Sequence, residues 1–344
     1  METSDTAYDA ILIVSFGGPE KPEDVVPFLE NVTRGRGIPR ERLEQVGEHY
    51  FLFGGKSPIN DQCRELIDAL KPALADAGID LPVYWGNRNW EPMLTDTVAQ
   101  MAADGVSRAL AFVTSATSSY SGCRQYRENI IAACDAVGDG APIIDKIRQF
   151  YDHPGFIEPM IDNVRSCLDD LDDARLVFTA HSIPMSMADT SDYVEQLTEA
   201  SRLVAEGVGC TDFDLVWQSR SGPPHIPWLE PDINDHLETI SSDDVDAVVI
   251  VPIGFISDHM EVMFDLDTEA LATADRLGMA MRRASTVGTD PRFIDGIVEL
   301  IEERRSNGPV RALGRLDVRP DYCRPDCCPA PKRPGIRAGG PTDA

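Results

Sequence analysis

Residues 247–269, AVVIVPIGFISDHMEVMFDLDTE, run from an apolar segment through a turn into an acidic helix. The first part, residues 247–252, is apolar throughout, which is typical of a strand that is buried on both faces of a sheet. Residues that follow such a strand lie at the carboxyl end of a parallel sheet, where open α/β folds bind their ligands. We therefore predict a functional site directly after residue 252.

Three carboxylates in this predicted helix repeat every four residues. Glu261, Asp265 and Glu269 would lie above one another on one helix face. Like charges at this spacing repel by roughly a few tenths of a kcal/mol per pair. A visiting cation would offset that repulsion, and a solvated acidic face is the alternative interpretation. His259, which precedes the carboxylates, is by itself more typical of a hydrogen-bonded structural histidine than of a ligand.

A second apolar strand ends at a histidine. Residues 176–180, LVFTA, lead directly into His181, and Pro184 biases the residue before it away from helix. The chain therefore leaves the strand in an extended turn that exposes His181 at the edge of the sheet. An imidazole from one strand and carboxylates from another indicate a site that handles protons or delivers a metal. A structural histidine is the alternative.

Other strand ends carry polar turns. Residues 10–15 lead into a glycine turn, Phe16-Gly17-Gly18-Pro19, which lacks the GxGxxG pattern of dinucleotide-binding proteins. Residues 108–113 lead into the hydroxyl-rich segment 114–121, and residues 213–217 lead into 218–224, QSRSGPP. Such turns suit a large, flat, partly polar ligand, although ordinary solvated loops would look the same.

The order of strands and helices predicts the architecture. Apolar strands alternate with helical segments in both halves of the chain, which indicates parallel sheets with helices on both faces. We predict two Rossmann-like lobes, residues 1–160 and 161–315, that enclose a cleft, followed by a tail, residues 316–344. Residues 291–306 are predicted to form a last helix that packs back on the first lobe. The predicted strands lie near residues 10–15, 82–86, 108–113, 176–180, 213–217 and 247–252.

Together these segments resemble the ferrochelatase family. The motifs LIVSFGGP, ENVTRGRGIP, GGKSPIN, FTAHSIP, WQSRSGP with PWLEPD, and PIGFISDHMEVMFDLD occur in the family's order and at its approximate spacing. They extend from about residue 8 to residue 305. The resemblance implies a chelatase fold and insertion of ferrous iron into a porphyrin for haem biosynthesis.

The resemblance also implies roles for the residues of the acidic segment. In the family, the residues that match His181 and Glu261 face each other across the porphyrin, and which one takes protons and which first holds iron stays open. We expect His181 to act as metal-delivering ligand or base and Glu261 as proton acceptor. Asp265 and Glu269 match outer carboxylates that relay metal or protons, and His259 is expected to support the site without touching substrate.

One position departs from the family's pattern. Phe16 stands where some relatives have a tyrosine able to ligate iron and others have a methionine. A phenyl ring cannot ligate iron, so we expect Phe16 to pack on the face of the macrocycle.

The identity of the porphyrin is predicted from charge. Residues 31–42, NVTRGRGIPRER, contain four arginines, among them Arg34 and Arg36, near the expected mouth of the cleft. Arginine pairs with carboxylates through two hydrogen bonds, so the four propionates of coproporphyrin III would use these arginines better than the two of protoporphyrin IX. Ser57 matches a propionate-contacting position in relatives, and Ser121 is expected to contact substrate. Solvation of the arginines alone is the alternative.

The cysteines fall into two groups. Cys323, Cys327 and Cys328 lie in the polar tail motif YCRPDCCP, where core packing does not explain them. Some bacterial ferrochelatases hold a 2Fe–2S cluster through C-terminal cysteines and one from mid-chain, and Cys167 lies about where that internal ligand falls. Either a zinc or an iron–sulfur site needs four ligands, so a fourth must come from outside the tail motif. The resemblance favours a 2Fe–2S cluster, and zinc or an unliganded tail are the alternatives. The remaining cysteines considered are interpreted as small buried residues: Cys63, Cys123, Cys134 and Cys210.

Composition limits the partners. The net charge of −27 over 344 residues argues against nucleic acid and anionic membranes. The N-terminal METSDTAYD lacks the apolar run of a signal peptide, and no apolar run reaches the ~18–20 residues of a membrane span. We expect a cytoplasmic protein without stable membrane insertion. The oligomeric state is open, with a monomer favoured.

Three other functions fit part of the pattern. A chelatase that inserts cobalt or nickel into a less oxidised tetrapyrrole would share the fold and a histidine–acid pair, but HSIP together with SDHxE favours the iron enzyme. A haem or iron carrier without turnover would keep the cleft and the arginines but would not need Glu261 as a base. An iron–sulfur sensor would use only the tail.

Overall fold

The computed structural model describes residues 7–331, except residues 170, 172, 244, 307 and 322. Eight strands form two separate sheets, and helices lie between successive strands, which confirms the predicted α/β class. The strands are β1 Ala10–Ser15, β2 Val83–Asn87, β3 Arg108–Val113, β4 Ile143–Lys146, β5 Arg175–His181, β6 Phe213–Gln218, β7 Ala247–Val251 and β8 Ala280–Arg283. The α-helices are α1 Val25–Val32, α2 Arg40–Phe51, α3 Ile59–Asp76, α4 Leu94–Ala103, α5 Gln125–Val137, α6 Pro154–Leu168, α7 Met185–Ala188, α8 Tyr193–Gly207, α9 Ile233–Ser241, α10 Met260–Phe264, α11 Leu271–Leu277 and α12 Pro291–Ser306.

The two sheets have the same topology. The first sheet has the order β2-β1-β3-β4 and the second β6-β5-β7-β8, and all pairings are parallel. In each sheet the first and third strands along the chain are neighbours. The strands that follow are therefore added toward opposite edges of the sheet from this central pair. Ligands of open α/β sheets bind at such switch points, beyond the carboxyl ends of the strands. The switch points therefore lie at the ends of β1 and β3 in one lobe and of β5 and β7 in the other.

The central strands are buried on both faces. Every residue of β1 and of β7 is buried, as expected for strands covered by helices on each side. The two edge strands β4 and β8 were not predicted, because each has only four residues and mixes polar with apolar side chains. Ile143 at the start of β4 is 62% exposed, so this edge strand contributes little to the core.

Helix α12 joins the lobes. It packs against α3 of the first lobe and against α6, which confirms the predicted return of the last helix. Phe293 of α12 lies within 6.5 Å of the ring centroids of Phe112 and Phe150, and the largest apolar cluster includes residues of both sheets. The proposed lobe boundary at residue 160 falls inside α6 and stays a prediction.

Two helical segments have widened, π-type turns. One is Tyr120–Arg124, just before α5, and the other is Asp265–Ala270, between α10 and α11. Turns of this kind occur frequently at functional sites. After α12, the described residues between 308 and 331 contain neither helix nor strand.

Candidate active site

His181 and Glu261 face each other at the switch point of the second sheet. His181 is the last residue of β5, and Glu261 lies in the first turn of α10, after β7. The imidazole Nε2 lies 3.8 Å from Glu261 Oε1, and the two side chains are 32% and 46% exposed. Both groups are therefore held close together while still accessible to a ligand in the cleft.

Neighbouring groups fix the backbone of this pair. The hydroxyl of Tyr193, at the start of α8, donates a hydrogen bond of 2.9 Å to the carbonyl oxygen of His181. His259 Nδ1 accepts a hydrogen bond of 3.2 Å from the backbone N–H of Glu261. Burial lowers the pKa of His259, which favours the neutral imidazole that can accept this bond. His259 thus orients Glu261, whereas its sequence context alone could not distinguish this role from core packing.

The end of β6 holds the next carboxylate. The Ser219 hydroxyl donates to Asp265 Oδ2, and Gln218 Nε2 donates to the same oxygen at 3.2 Å. Ser219 has a φ of 61°, in the left-handed region that is uncommon for serine. Gln218 Nε2 also donates to the Glu261 carbonyl at 3.2 Å, so β6 is tied to two consecutive turns of the acidic helix.

Burial raises the pKa of Asp265 to about 7, against the hydrogen bond from Ser219, which lowers it. The charges of Glu261 and Glu269 raise this pKa further, which shows that the three carboxylates are near neighbours. A carboxyl with this pKa changes its charge near neutral pH. Burial also raises the pKa of Glu269, and the charge of His49 opposes this rise.

Helix α2 of the first lobe reaches across to the acidic helix. The ring of His49 stacks on Phe264, with ring centroids 3.9 Å apart and planes inclined by 12°. Burial raises the pKa of Tyr50, and the charge of Glu261 raises it further. The acidic helix therefore faces both residues of α2. Sequence reasoning missed His49 and Tyr50 because nothing in α2 itself indicates which element it packs against.

Aromatic side chains cluster at the end of β1. Phe16, at the end of β1, lies edge-on to Phe28 at 6.3 Å, and Phe28 contacts Trp90 in the same way at 6.2 Å. The Arg88 guanidinium lies 5.6 Å from the centroid of Phe16. Its Nη1 donates to the carbonyl of Ser121 at 3.3 Å. Phe28 is buried, whereas Phe16 is partly exposed, so Phe16 can offer an apolar ring with a cation beside it to a macrocycle.

The other predicted substrate contacts differ in accessibility. Arg34 and Arg36 are exposed in the segment between α1 and α2. Ser121 is partly exposed, and its hydroxyl lies 3.3 Å from that of Ser119. Ser57 is only 4% exposed and lies against Gly18, where an added Cβ would be 2.8 Å from the Ser57 Cβ. This burial weighs against a direct substrate contact by Ser57, which stays a prediction.

Comparison with known proteins identifies the family. A model of the family described as Ferrochelatase matches residues 8–305. The coproporphyrin III ferrochelatase of Streptomyces coelicolor is 55% identical over 351 residues, covering 94% of each chain. The ferrochelatase of Rhodopirellula baltica is 53% identical, covering 98% of each chain. This chain belongs to the ferrochelatase family.

A solved structure supports the fold of this ferrochelatase. SirB from Bacillus subtilis, solved with Fe3+, has a TM-score of 0.52 and 14% sequence identity, covering 87% of this chain and 96% of SirB. At that identity the similarity concerns the fold alone, and it agrees with the predicted chelatase-like arrangement of two lobes. No helix in the described part of the chain is long and apolar enough to cross a membrane.

The tail cysteines of this ferrochelatase gather around Cys123. Cys123, in the π-type turn before α5, is hydrogen-bonded to Cys323; this bond raises the pKa of Cys123 and lowers that of Cys323. Cys323 is hydrogen-bonded in turn to Cys327, whose Sγ lies 3.5 Å from that of Cys328. The four thiols therefore form a continuous chain of contacts. Across the described residues, however, no three or more His, Cys, Asp or Glu side chains already stand in metal-holding positions.

The prediction that Cys123 is a small buried residue is confirmed, since it is 5% exposed. Its sulfur neighbours, however, lie two hundred residues further along the chain, where no local pattern could reveal them. Cys167 lies near the carboxyl end of α6, partly buried against the core. The tail contacts Asp152, just before the other end of α6, through the Leu313 N–H. The role of Cys167 as the internal cluster ligand stays a prediction.

Arginines hold the tail over the first lobe. Arg124 Nη1 donates to the carbonyl of Cys327 at 3.1 Å. Arg127 donates to the carbonyls of Arg324 and Pro325, each at 3.4 Å. These arginines therefore hold the cysteine-bearing segment by its backbone. Because the described part of this segment contains neither helix nor strand, side-chain packing determines where its sulfurs point.

Proposed function

We propose that this ferrochelatase inserts ferrous iron into coproporphyrin III in the cleft between its two lobes, as a step of haem synthesis. The observation that carries the proposal is the exposed His181–Glu261 pair, 3.8 Å apart at a switch point, beside a ladder of carboxylates. The substrate is supported by the relatives that bear the name coproporphyrin III ferrochelatase and by the exposed arginines Arg34 and Arg36.

Metallation requires that two pyrrole protons leave the macrocycle as iron enters. In this proposal the porphyrin lies between Phe16 and the His181–Glu261 pair. Glu261 accepts protons from the pyrrole nitrogens, and His181 provides the nitrogen ligand that carries iron to the ring. Imidazole and carboxylate oxygen bind ferrous iron and can release it again, as a delivery site must.

The acidic helix supplies the route to that pair. Glu269 and Asp265 would pass iron inward or protons outward, and a carboxyl with a pKa of about 7 suits either task because it changes charge near neutral pH. The hydrogen bonds from Ser219 and Gln218 keep Asp265 in place whichever state it is in. The Gln218 amide and the Ser219 hydroxyl both act as hydrogen-bond donors, so they favour the ionised form of the Asp265 carboxyl.

The proposal is tested by anaerobic insertion of ferrous iron with coproporphyrin III and protoporphyrin IX under matched conditions. We expect rapid metallation of coproporphyrin III and much slower metallation of protoporphyrin IX. Equal rates would overturn the substrate assignment. Tight porphyrin binding with no metallation of either substrate would instead support a carrier.

We further propose a 2Fe–2S cluster held by Cys123, Cys323, Cys327 and Cys328. The support is the chain of contacts among these four thiols and the docking of the tail by Arg124. When bound, the cluster supplies a cross-link between the first lobe and the tail and a centre for one-electron chemistry. A tail without its own apolar core would depend on such a link for its position. Analysis of iron and acid-labile sulfide in anaerobically purified protein tests it, and their absence would refute it.

The proposed setting is a cytoplasmic monomer that binds no nucleic acid and makes no stable membrane insertion. The strongly negative net charge supports this, since it repels both nucleic acid and anionic lipid. Light scattering after size-exclusion chromatography tests whether the protein is a monomer. Fractionation of cells of the source organism tests whether it is cytoplasmic. A stable dimer, or recovery in the membrane fraction, would contradict the corresponding part.

A further inference from the structure

The imidazole ring of His181 is held through one of its two nitrogens. Its Nδ1 lies 2.5 Å from the carbonyl oxygen of Ser182, the next residue. A carbonyl oxygen can only accept a hydrogen bond, so Nδ1 must carry the hydrogen of this pair. In a neutral imidazole the other nitrogen then has a lone pair, and this other nitrogen, Nε2, is the one that faces Glu261.

The separation of His181 and Glu261 agrees with this assignment. An Nε2–H that donated to the carboxylate would place nitrogen and oxygen about 2.7–3.2 Å apart. The observed distance from Nε2 to Glu261 Oε1 is 3.8 Å. With the hydrogen on Nδ1, the two facing atoms are both acceptors, and neither is occupied by the other. The pair therefore stays open to a cation or a proton that enters from the cleft.

Two other histidines have the opposite arrangement. His259 Nδ1 accepts from the Glu261 N–H at 3.2 Å, and His153 Nδ1 accepts from the Gly155 N–H at 3.1 Å. A backbone N–H can only donate, so the hydrogen of each neutral ring lies on Nε2. Burial lowers the pKa of both residues, that of His153 to about 4, which favours the neutral rings. The tautomer of His181 is therefore set by its own surroundings.

The turn after β5 fixes the carbonyl of Ser182. Ser182 is 1% exposed, and its N–H donates to the Gln218 carbonyl at 2.7 Å. Its hydroxyl donates to the Leu229 carbonyl at 2.8 Å, and the Leu229 N–H donates to the Ile183 carbonyl at 3.0 Å. Because the chain is anchored on both sides of the Ser182 carbonyl, that oxygen has little freedom to turn away from His181.

We propose that Ser182 is a positioning residue, whose backbone carbonyl holds His181 in the Nδ1–H tautomer and so presents the Nε2 lone pair to the cleft. The inference deepens the proposed function, and its consequence for turnover rests on that function. A lone pair on Nε2 can bind ferrous iron or accept a proton without first losing a hydrogen, and the carbonyl at the other nitrogen makes the ring a stronger base. In the opposite tautomer, Nε2–H would donate to Glu261 and each group would block the other.

The test is NMR of purified protein labelled with 15N in its histidines, without porphyrin or iron, at about pH 8.5, where free imidazole is neutral. Long-range 1H–15N spectra distinguish a ring nitrogen that carries hydrogen from one with a lone pair, and His181→Gln identifies the signals of His181. We expect hydrogen on Nδ1 in His181 and on Nε2 in His153 and His259. Hydrogen on Nε2 of His181 would overturn the inference.

A variant tests the role of Ser182 itself. Ser182→Ala removes the hydroxyl that ties the turn to Leu229, so the Nδ1–H population of His181 should fall. The kcat for iron insertion should drop by up to about tenfold, the lower end of the loss when a partner behind a metal-binding histidine is removed, with an unchanged KM for coproporphyrin III. Ser186→Ala is the matched control, because Ser186 is exposed in the following helix α7. A wild-type tautomer and kcat in Ser182→Ala would overturn the role of Ser182.

The outcomes separate this inference from the proposed function. The spectra need neither porphyrin nor turnover. Hydrogen on Nδ1 of His181 in a protein that metallates no porphyrin would therefore support the inference and refute the proposed function. Rapid metallation by a protein with hydrogen on Nε2 of His181 would do the reverse. If Ser182→Ala does not fold, the wild-type spectrum decides.

Discussion

The imidazole of His49 stacks on the ring of Phe264 at 3.9 Å, so that helix α2 of the first lobe contacts the acidic helix of the second. The contact lies between two turns that carry carboxylates, and the charge of His49 favours ionised Glu269. The two lobes therefore touch through a pair of stacked rings, and a histidine lies near the outermost carboxylate of the acidic helix.

This contact predicts a role in iron capture. His49→Ala should raise the KM for ferrous iron severalfold while leaving porphyrin affinity unchanged, because Glu269 loses the neighbour that favours its ionised form. His49→Phe should restore the stack but not the iron affinity. Initial rates over a range of iron concentrations measure the effect, and fluorescence titration measures porphyrin binding. Wild-type iron dependence in both variants would show that His49 only packs.

Glu261→Gln tests the proton acceptor. The amide keeps the size of the side chain and cannot accept a pyrrole proton, so turnover should fall by about 10²- to 10⁴-fold, the range typical of general-base groups. Porphyrin binding should be retained. Stopped-flow metallation with matched porphyrin occupancy gives both values. A variant that retains wild-type turnover would favour a carrier or another base.

Asp265 predicts a pH dependence of stability. Its pKa in the folded protein is raised to about 7 from 3.8, so between these values the folded state binds a proton that the unfolded state has released. Stability contributed by this group is therefore present at low pH and is lost as pH rises through 7. Asp265→Asn should raise Tm at pH 8 and have little effect at pH 4. A Tm difference that is independent of pH would contradict the buried, neutral carboxyl.

Ser219→Ala extends this prediction to catalysis. The Ser219 hydroxyl donates to the Asp265 carboxylate and lowers its pKa, so its removal should shift the acid limb of the activity profile to higher pH. The measurement is the rate of iron insertion from pH 5.5 to 9. Ser257→Ala is the control, because Ser257 precedes the same helix. An identical shift of the acid limb in this variant would show that any loss of a serine near the helix changes the profile.

The exposed arginines predict substrate selection. Arg34→Ala and Arg36→Ala should each raise the KM for coproporphyrin III by up to about tenfold, equal to about 1.4 kcal/mol, and affect protoporphyrin IX less. Arg276→Ala is the control, because Arg276 is also exposed but lies outside residues 31–42 and pairs with Glu238 at 2.6 Å. Equal effects on both porphyrins would show that the arginines attract any porphyrin that carries carboxylates and do not select coproporphyrin III.

The cysteine assignment gives a direct comparison of two variants. Cys123→Ser should abolish the visible absorption of the cluster, whereas Cys167→Ser should retain it. Spectra and iron content of anaerobically purified proteins provide the measurement. The reverse result would restore the internal ligand expected from the sequence, and colour in both variants would show that neither cysteine is required.

The sequence predicts the features that depend on short segments. The six long strands, the last helix and the placement of His181 and Glu261 at strand ends follow from apolar runs and from the chemistry of the residues after them. The fold and the family are confirmed on that basis. The edge strand β4 was missed because it has only four residues and because Asp145 and Lys146 interrupt the apolar pattern.

Contacts between distant segments could not be predicted in the same way. Ser219 lies in a quoted motif, yet only the structure shows that its hydroxyl meets Asp265. Cys123 and Cys323 are joined by docking of the tail, and His49 meets Phe264 across the cleft. In each case the partner is chosen by tertiary packing, which leaves no periodic signal in either segment.

The widened turn at Asp265–Ala270 gives the acidic helix an unusual repeat. Glu261, Asp265 and Glu269 recur every four residues, as do the buried positions Val262, Leu266 and Ala270. In a regular α-helix, four-residue steps turn by about 40° beyond a full circle, so each series would spiral around the axis. A turn that contains an extra residue absorbs this rotation. The three carboxylates therefore keep to one side of the helix through the widened turn, and the buried series Val262, Leu266 and Ala270 beside them stays against the core.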